Sequence, residues 1–533
     1  MENNRQLICF VLNNMSNSKK AIKNGIYGTI TQIIIFLLKF IERRFFVLYL
    51  SIEYLGFKSL FGNVFALFSV SELGISSIIC YQLYGAIAKN DKNEINKLMS
   101  IYRLFYTIIG IFVLVIGLLC NFVLPYIITN QTVSWDYLRQ VYILMLISTL
   151  STYFLSYRQS LYIASQKEYI CMSISVVVEI AFSIIKLLII YIHKDFILYL
   201  IFDILKSVVL NLTIYIYAKV IFTYLNDNIG ICWKDIKERR IFFDIKNLLY
   251  GKVAGVIYFG TDNILISKLF GINLVAIYAN YYLLYTSLRS ITFNKYIGAI
   301  NPSVANFLHS ETNTNEIIGL FNNIDLFNHC CGIIFSLGFC LFANPVIYYW
   351  LGPENLFQFD IVMVYCIYIY LEISFEVLNS FRSAYGEFEF DKKYFMYAAI
   401  FNIILSIAFS RLFGISGIIM GTIVGFIFIA YGRGKFIYYR IIMIDVIKYL
   451  IKHIFLTIKF VVLFLITLFV SSSLDFSLIS LFYRALFFFF SIIVYFFIEY
   501  KINKEFYSLK EYIERVFLQY EKIKIFYKRF NSK

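Results

Sequence analysis

From Gly25 to Ile498 the sequence is a succession of apolar runs, each close to the ~20 residues a helix needs to cross the hydrocarbon core of a bilayer. The runs are continuous and do not alternate in the short polar–apolar pattern of barrel strands, so they read as helices. Lipid offers no partner to a backbone N–H or C=O, and a helix satisfies both within itself. Charged residues make up 15% of the chain, against about 25% in a soluble domain. A water-facing surface cannot be assembled from so few. The expected fold class is an all-α integral membrane protein with about fourteen transmembrane helices. The spans read as Gly25–Leu50, Leu60–Tyr84, Tyr102–Ile128, Tyr137–Leu161, Tyr169–Ile192, Phe196–Val220, Leu248–Phe270, Val275–Val304, Phe321–Trp350, Phe359–Ser383, Tyr394–Phe413, Ile415–Tyr438, Ile454–Ser471 and Leu478–Ile498.

The charges between the spans set an orientation. One set of connections carries Lys19, Lys20 and Lys23, then Lys89, Lys92 and Lys97, Arg158 and Lys167, Lys234, Lys237, Arg239 and Arg240, Lys392 and Lys393, and Arg433, Lys435, Arg440 and Lys448. The alternate set is poor, with Glu53 and Lys58, Asp136, Lys194, Glu354, Arg411 and Asp475. The positive-inside rule makes the first set cytoplasmic, and an even helix count then puts both termini there. The net charge of +15 is accounted for by topology and anionic headgroups, not by a nucleic-acid partner. The tail 501–533 is charged and amphipathic and is expected on the inner leaflet. Residues 1–18 read as a leader without structural weight, and Met15, followed by Ser-Asn-Ser-Lys-Lys, as a more natural start than Met1.

Several function classes are disfavoured. The outer connections are short, whereas membrane glycosyltransferases and polymerases carry a large outer loop or domain for catalysis. There is no H-E-x-x-H, P-loop or G-x-S-x-G. The nine cysteines lack metal-like spacing, and a reduced Cys in an apolar run is a small hydrophobe. His193, His309, His329 and His453 are dispersed along the chain. Neither an enzyme, a metal centre nor a cofactor is expected.

The chain also repeats itself. Asn93-Glu94-Ile95 opens the third span and Asn315-Glu316-Ile317 the ninth; Pro125 and Pro345 lie near their ends; Gly62-Asn63 and Ala279-Asn280 occupy matching places in the second and eighth. Six spans separate the copies, so corresponding helices point the same way. Such parallel repeats mark a two-lobed transporter with a central cavity. The expected layout is an N-lobe over 19–225, a cytoplasmic linker over 226–247, a C-lobe over 248–445 and two further helices over 446–500.

A set of motifs in fixed order carries a resemblance. They are Ser18-Lys19-Lys20 leading to Gly25-Ile26-Tyr27-Gly28, Phe46 to Gly56 (FVLYLSIEYLG), Phe61 to Gly74 (FGNVFALFSVSELG), Leu83-Tyr84 before Lys89-Asn90-Asp91-Lys92, and Gly260 to Gly271 (GTDNILISKLFG) before Ile277-Tyr278-Ala279-Asn280-Tyr281-Tyr282. Over about residues 19 to 450 the chain resembles the polysaccharide transporters, or O-antigen flippases, of the MATE-like multidrug/oligosaccharidyl-lipid/polysaccharide superfamily. The resemblance implies twelve core helices in two six-helix lobes, a V-shaped cavity and alternating access. It implies a polyprenyl-pyrophosphate-linked oligosaccharide as substrate, in the bacterial cytoplasmic membrane. The expected partners are that lipid-linked oligosaccharide, membrane lipids, a polysaccharide polymerase and glycosyltransferases. The competing readings are a membrane polymerase or glycosyltransferase, and a drug or ion antiporter of the same superfamily.

An ionised residue within a span is costly unless it faces protein or water, so each is a functional candidate. Gln32, Lys39, Glu42 and Arg43 lie on one face of the first helix, with Arg44 turned about 100° away. Cationic forks suit a diphosphate, which makes Arg43 and Lys39 the leading pyrophosphate ligands, followed by Lys186, Lys252, Lys295 and Arg289. The alternative is that Lys39, Glu42 and Arg43 satisfy one another. A polar cavity wall is read from Gln32, Glu42, Glu72, Asn263, Asn294, Glu372, Glu376 and Asn379, or these are helix–helix hydrogen bonds. Asp203 and Lys206, three apart, read as a structural pair. No nucleotide site is present, so transport must run on a substrate gradient or a coupled ion. The lipid II flippases of this superfamily imply a cation between the seventh, eleventh and twelfth helices. The matching positions here are Asp262, Asn402, Ser406 and Thr422, oxygen donors suited to Na⁺, unless a carboxylate carries H⁺ instead.

The topology is testable by cysteine tagging in intact cells. Tags at Lys92, Lys237 and Lys392 are expected to be protected from impermeant thiol reagents and tags at Asp136 and Glu354 to react; labelling at Lys237 from outside would sink the fourteen-helix topology.

Overall fold

The computed structural model describes residues 27–68, 72–226, 241–310, 314–385, 391–438 and 446–502. Among them the regular structure is helical, without strands, and nine helices are long and apolar enough to cross a membrane. The chain is therefore an all-α, multi-pass membrane protein. It divides into two compact units, Met1–Ile291 and Thr292–Lys533.

The first unit begins with α1 (27–49), α2 (Ile52–Phe68), α3 (Glu72–Ala88) and α4 (Lys92–Cys120). Asp91 caps α4 by accepting the Glu94 amide at 3.0 Å, one of the donors that a helix start leaves without an internal partner. A short α5 (Leu124–Ile127), α6 (Trp135–Ser156) and a short α7 (Gln159–Ala164) follow. Then come α8 (Glu168–Ile192), α9 (Phe196–Ile221), α10 (Ile241–Phe270) and α11 (Ile272–Ile291). The second span starts at Ile52 and not at Leu60, so Glu53 and Lys58 belong to a helix and not to an outer loop. Each has a partner that a loop would not need. Glu53 accepts the Thr132 amide at 2.7 Å and the Thr132 hydroxyl, and Lys58 pairs with Asp203 at 2.9 Å.

Unit one is apolar outside and partly polar inside. On α8, Val177, Ile184, Leu188 and Tyr191 are exposed, while Ser183 and Lys186 are buried. With lipid as the solvent, this inverts the amphipathic pattern of a water-soluble helix.

The second unit holds α12 (Phe293–Ser310), α13 (Thr314–Leu351), α14 (Phe359–Ser374), α15 (Glu376–Tyr385), α16 (Asp391–Ile437), α17 (Val446–Ser473) and α18 (Leu478–Ile502). Four spans read as single helices are broken in the structure: the third at Asn121–Val123, the fourth at Tyr157–Arg158, the eighth near Thr292 and the tenth at Phe375. Within α16 the backbone at Gly414 takes φ 60° and ψ −137°, a region that a side chain disfavours. The chain reverses there, so α16 is a hairpin of two helices. Ser406 donates to the Ile418 carbonyl at 3.0 Å, and farther out Phe401 stacks on Phe428 at 4.7 Å. The arms touch so closely that a Cβ at Gly421 would overlap Ser406.

The last two helices are docked on the unit. Buried Arg484 of α18 donates to the Leu341 carbonyl at 3.1 Å, to Ser471 Oγ at 2.9 Å and to the Leu474 carbonyl at 2.7 Å. It thereby satisfies carbonyls that the end of α17 leaves open. In the connection between α17 and α18, the Ser477 hydroxyl at 2.8 Å and amide at 3.2 Å hold the Asp475 carboxyl below its ordinary range.

Gly414→Ala is expected to cost about 1–3 kcal/mol through backbone strain, and Gly421→Val at least as much through overpacking against Ser406. Both should lower the thermal midpoint of the detergent-solubilised protein; an unchanged midpoint for Gly421→Val would refute the close contact of the two arms.

Candidate functional site

Within the first unit, α1, α2, α8 and α9 enclose a cavity of about 360 Å³. The polar residues that line it follow simple periodicity, although Lys39 is exposed. Tyr199, Asp203 and Lys206 are four and three apart on α9, Glu179 and Lys186 seven apart on α8, and Lys39 and Glu42 three apart on α1, so each set shares a face. Five cations line the cavity, Lys39, Arg43, Lys58, Lys186 and Lys206, against three carboxylates, Glu42, Glu179 and Asp203. The chamber thus carries two positive charges in excess.

The carboxylates are fully engaged. Lys186, with a side chain 2% exposed, sits 2.9 Å from Glu42 and 3.0 Å from Asp203. Asp203 also takes Lys58 at 2.9 Å and Lys206 at 3.4 Å, and Lys206 reaches Glu179 at 3.3 Å. The Tyr199 hydroxyl donates to Glu42 and accepts from Lys58, and its ring lies under the Lys58 ammonium at 4.4 Å. Phe46 meets Tyr199 edge-on, with ring centroids 5.5 Å apart. The expected Asp203–Lys206 pair is present, but as one edge of a network of four helices.

Arg43 stands at the edge of that network, where the charges of Glu42 and Tyr199 act on it, and Lys39 is exposed. Among the described residues neither forms an ion pair, and the Arg43 Nη1 atom is buried with no hydrogen-bond partner. Glu42 makes its close ion pair with Lys186 of α8 and acts on Arg43 only at longer range, so Lys39, Glu42 and Arg43 are not a self-contained cluster. Adjacent helical positions diverge by about 100°, which separates Glu42 from Arg43. Lys58 and Asp203 also line a second cavity of about 240 Å³ among α2, α6 and α9, together with Phe65, Leu144, Met145 and Leu200. Their ion pair is the partition between a charged chamber and a more apolar one.

The other sequence candidates lie elsewhere. Gln32 is exposed on α1. The side chains of Glu72 and Lys252 lie outside the described residues. Asn263 is buried on α10, with its Oδ1 making no hydrogen bond. Arg289 lies on α11 of the first unit, Asn294 and Lys295 on α12 of the second. Glu372 is near the end of α14, while Glu376 accepts from Asn379 at 2.8 Å and Asn379 from Arg382 at 2.9 Å. Of the cation set, Asp262 accepts from Tyr278 at 3.2 Å in the first unit. The remaining three meet in the α16 hairpin, where Ser406 donates to Asn402 at 2.9 Å and Thr422 shares the Ile418 carbonyl at 3.3 Å. Lys58 and Tyr199 are the functional candidates that sequence reasoning passed over. Lys58 had been assigned to a loop, and one Tyr among 45 carries no signal of its own.

No protein-family profile matches the chain, and no curated protein matches it. Solved structures do. The lipid II flippase MurJ in an inward closed conformation superposes with a TM-score of 0.63 at 14% identity, covering 89% of this chain and 99% of its own. An inward-facing multidrug resistance MATE family transporter of the MOP superfamily gives 0.58 at 13% identity, covering 76% and 97%. A MATE transporter from Vibrio cholerae gives 0.53 at 13% identity, covering 80% and 98%.

Removing one partner of a buried pair strands the other charge, at about 3–5 kcal/mol. Lys186→Met, which leaves Glu42 without its ion-pair partner, should therefore lower the thermal midpoint strongly, and Lys206→Met, whose side chain is 21% exposed, much less. Equal midpoints for the two variants would refute the placement of Lys186 at the centre of the network. The fold on which these residues are mounted is that of the MOP-superfamily transporters.

Proposed function

We propose that the chain is a flippase that carries a polyprenyl-pyrophosphate-linked oligosaccharide, an O-antigen or capsular repeat unit, across the bacterial cytoplasmic membrane by alternating access. Both termini are then cytoplasmic. The observation that carries the reading is the charge of the chamber in the first unit. Its two excess positive charges, with Arg43 Nη1 buried and without a hydrogen bond, match the two negative charges of a diphosphate diester. Arg43 supplies a planar fork and Lys39 a mobile point charge. Lys186, also expected as a phosphate ligand, already faces two carboxylates at 3.0 Å or less and acts as the hub that holds the chamber open and charged.

The fold agrees, since one neighbour is a flippase of a lipid-linked substrate. The MATE neighbours share the fold, but an exporter of cationic drugs would meet repulsion from the same two charges. The energy source in this reading is a coupled ion, Na⁺ or H⁺, at Asp262 or at Asn402, Ser406 and Thr422. A polysaccharide polymerase and glycosyltransferases are the partners on either side of the transport step.

Arg43→Ala should reduce surface polysaccharide at least ~10-fold by removing the charge-assisted fork. The lipid-linked intermediate should then accumulate on the inner leaflet. Arg43→Lys should recover part of the activity, since it keeps the charge and loses the fork. Normal surface polysaccharide in a well-expressed Arg43→Ala strain would sink the assignment.

A further inference from the structure

The second unit contains a cluster that the transport reading does not use. Asp325 and His329 stand four residues apart on α13 and so share a face, and His453 reaches them from α17. Asp325 and His329 are 0% exposed and His453 is 4% exposed. One ligand atom from each lies within 4.8 Å of the others. His329 Nε2 is 2.8 Å from His453 Nδ1, and His453 Nε2 is 3.5 Å from Asp325 Oδ1. The Phe375 ring lies against His453 at 4.8 Å and closes one side.

The protons constrain what the cluster can hold. The Tyr370 hydroxyl of α14 lies 3.0 Å from His329 Nδ1. Where His329 is the donor to that oxygen, its proton is on Nδ1 and the Nε2 lone pair faces His453. This is the outer-shell arrangement that orients metal-ligating imidazoles. With the His453 proton on Nε2, toward Asp325, the His453 Nδ1 lone pair faces that of His329 across 2.8 Å. Both Asp325 oxygens are buried and accept no hydrogen bond. Lys452 approaches Oδ2 at 3.4 Å but is 24% exposed and also donates to Asn322 at 3.1 Å. Two imidazole lone pairs then point into the gap between the rings, and one ligand atom of each of the three residues lies within 4.8 Å of the others, a donor set suited to a borderline divalent ion.

We propose that Asp325, His329 and His453 form a three-ligand site for a divalent transition-metal ion of the Zn²⁺ class, joining α17 to α13. Two nitrogens about 2.0–2.1 Å from one tetrahedral ion stand about 3.3 Å apart, so the ion replaces the direct imidazole contact after a shift of about half an ångström. A fourth position is left for water. The bound ion adds to the positive charge that Lys452 offers the buried carboxylate at 3.4 Å.

The test uses the full chain, purified in detergent and stripped with a chelator. Zn²⁺ content is measured after dialysis, and Co²⁺ serves as a spectroscopic probe. Expected are about one equivalent of Zn²⁺ per chain, the intense visible absorption of four-coordinate Co²⁺, and a thermal midpoint that rises with added Zn²⁺ as binding to the folded state requires. His329→Gln and His453→Gln should each abolish all three signals, and Tyr370→Phe should weaken binding by about 10–100-fold. A wild-type protein that retains no Zn²⁺ and gives no Co²⁺ spectrum overturns the site whether or not the variants fold. Equal Zn²⁺ content in the wild type and a well-folded His329→Gln variant overturns it equally.

Discussion

An uncompensated charge in a bilayer costs several kcal/mol, and the arrangement of this chain follows from that cost. Helices that carry Lys, Glu or Asp in their apolar runs must turn those residues toward one another. α1, α2, α8 and α9 are held in register because Glu42, Lys58, Lys186 and Asp203 have no other place in which to be ionised. The same rule leaves the outer faces to Val, Ile, Leu and Phe. Helix association in lipid lacks the hydrophobic drive available in water, so these polar contacts, with close packing, supply much of the specificity.

The two units use charge differently. In the first, carboxylates and lysines alternate around a space large enough to admit a guest. In the second, charges are spent on docking the last two helices: Arg484 on the carbonyls at the end of α17, Lys459 on Glu499 at 2.6 Å, and the Asp325–His329–His453 cluster between α13 and α17. α17 and α18 are thereby bound to the unit by polar chemistry.

Much of this was legible in the sequence. Composition and run length identify an all-α membrane protein, because lipid permits little else. The turn at Gly414 was readable as a boundary between two spans, since the apolar pattern pauses at Arg411 to Gly414. The polar faces of α1 and α8 followed from spacings of three and seven. What was not legible required knowledge of which helices touch. Lys58 pairs with Asp203 across 145 residues, and nothing local distinguishes it from a loop lysine beside Glu53. His329 and His453, 124 residues apart, look dispersed until α17 is laid on α13. The break at Phe375 had no Gly or Pro to announce it. Arg43 was picked out by its depth in a span, but its separation from Glu42 depended on where Lys186 stands.

The hairpin of α16 has no slack. Ordinarily, two spans joined by several residues can slide past each other by a helical turn while the connection absorbs the difference. Here one residue, Gly414, makes the connection, and the Ser406–Ile418 bond lies only a few residues below it. Neither arm can be displaced along its axis without pulling the other. A tilt of one arm therefore presses on the other through the Ser406–Gly421 contact, where no gap separates them.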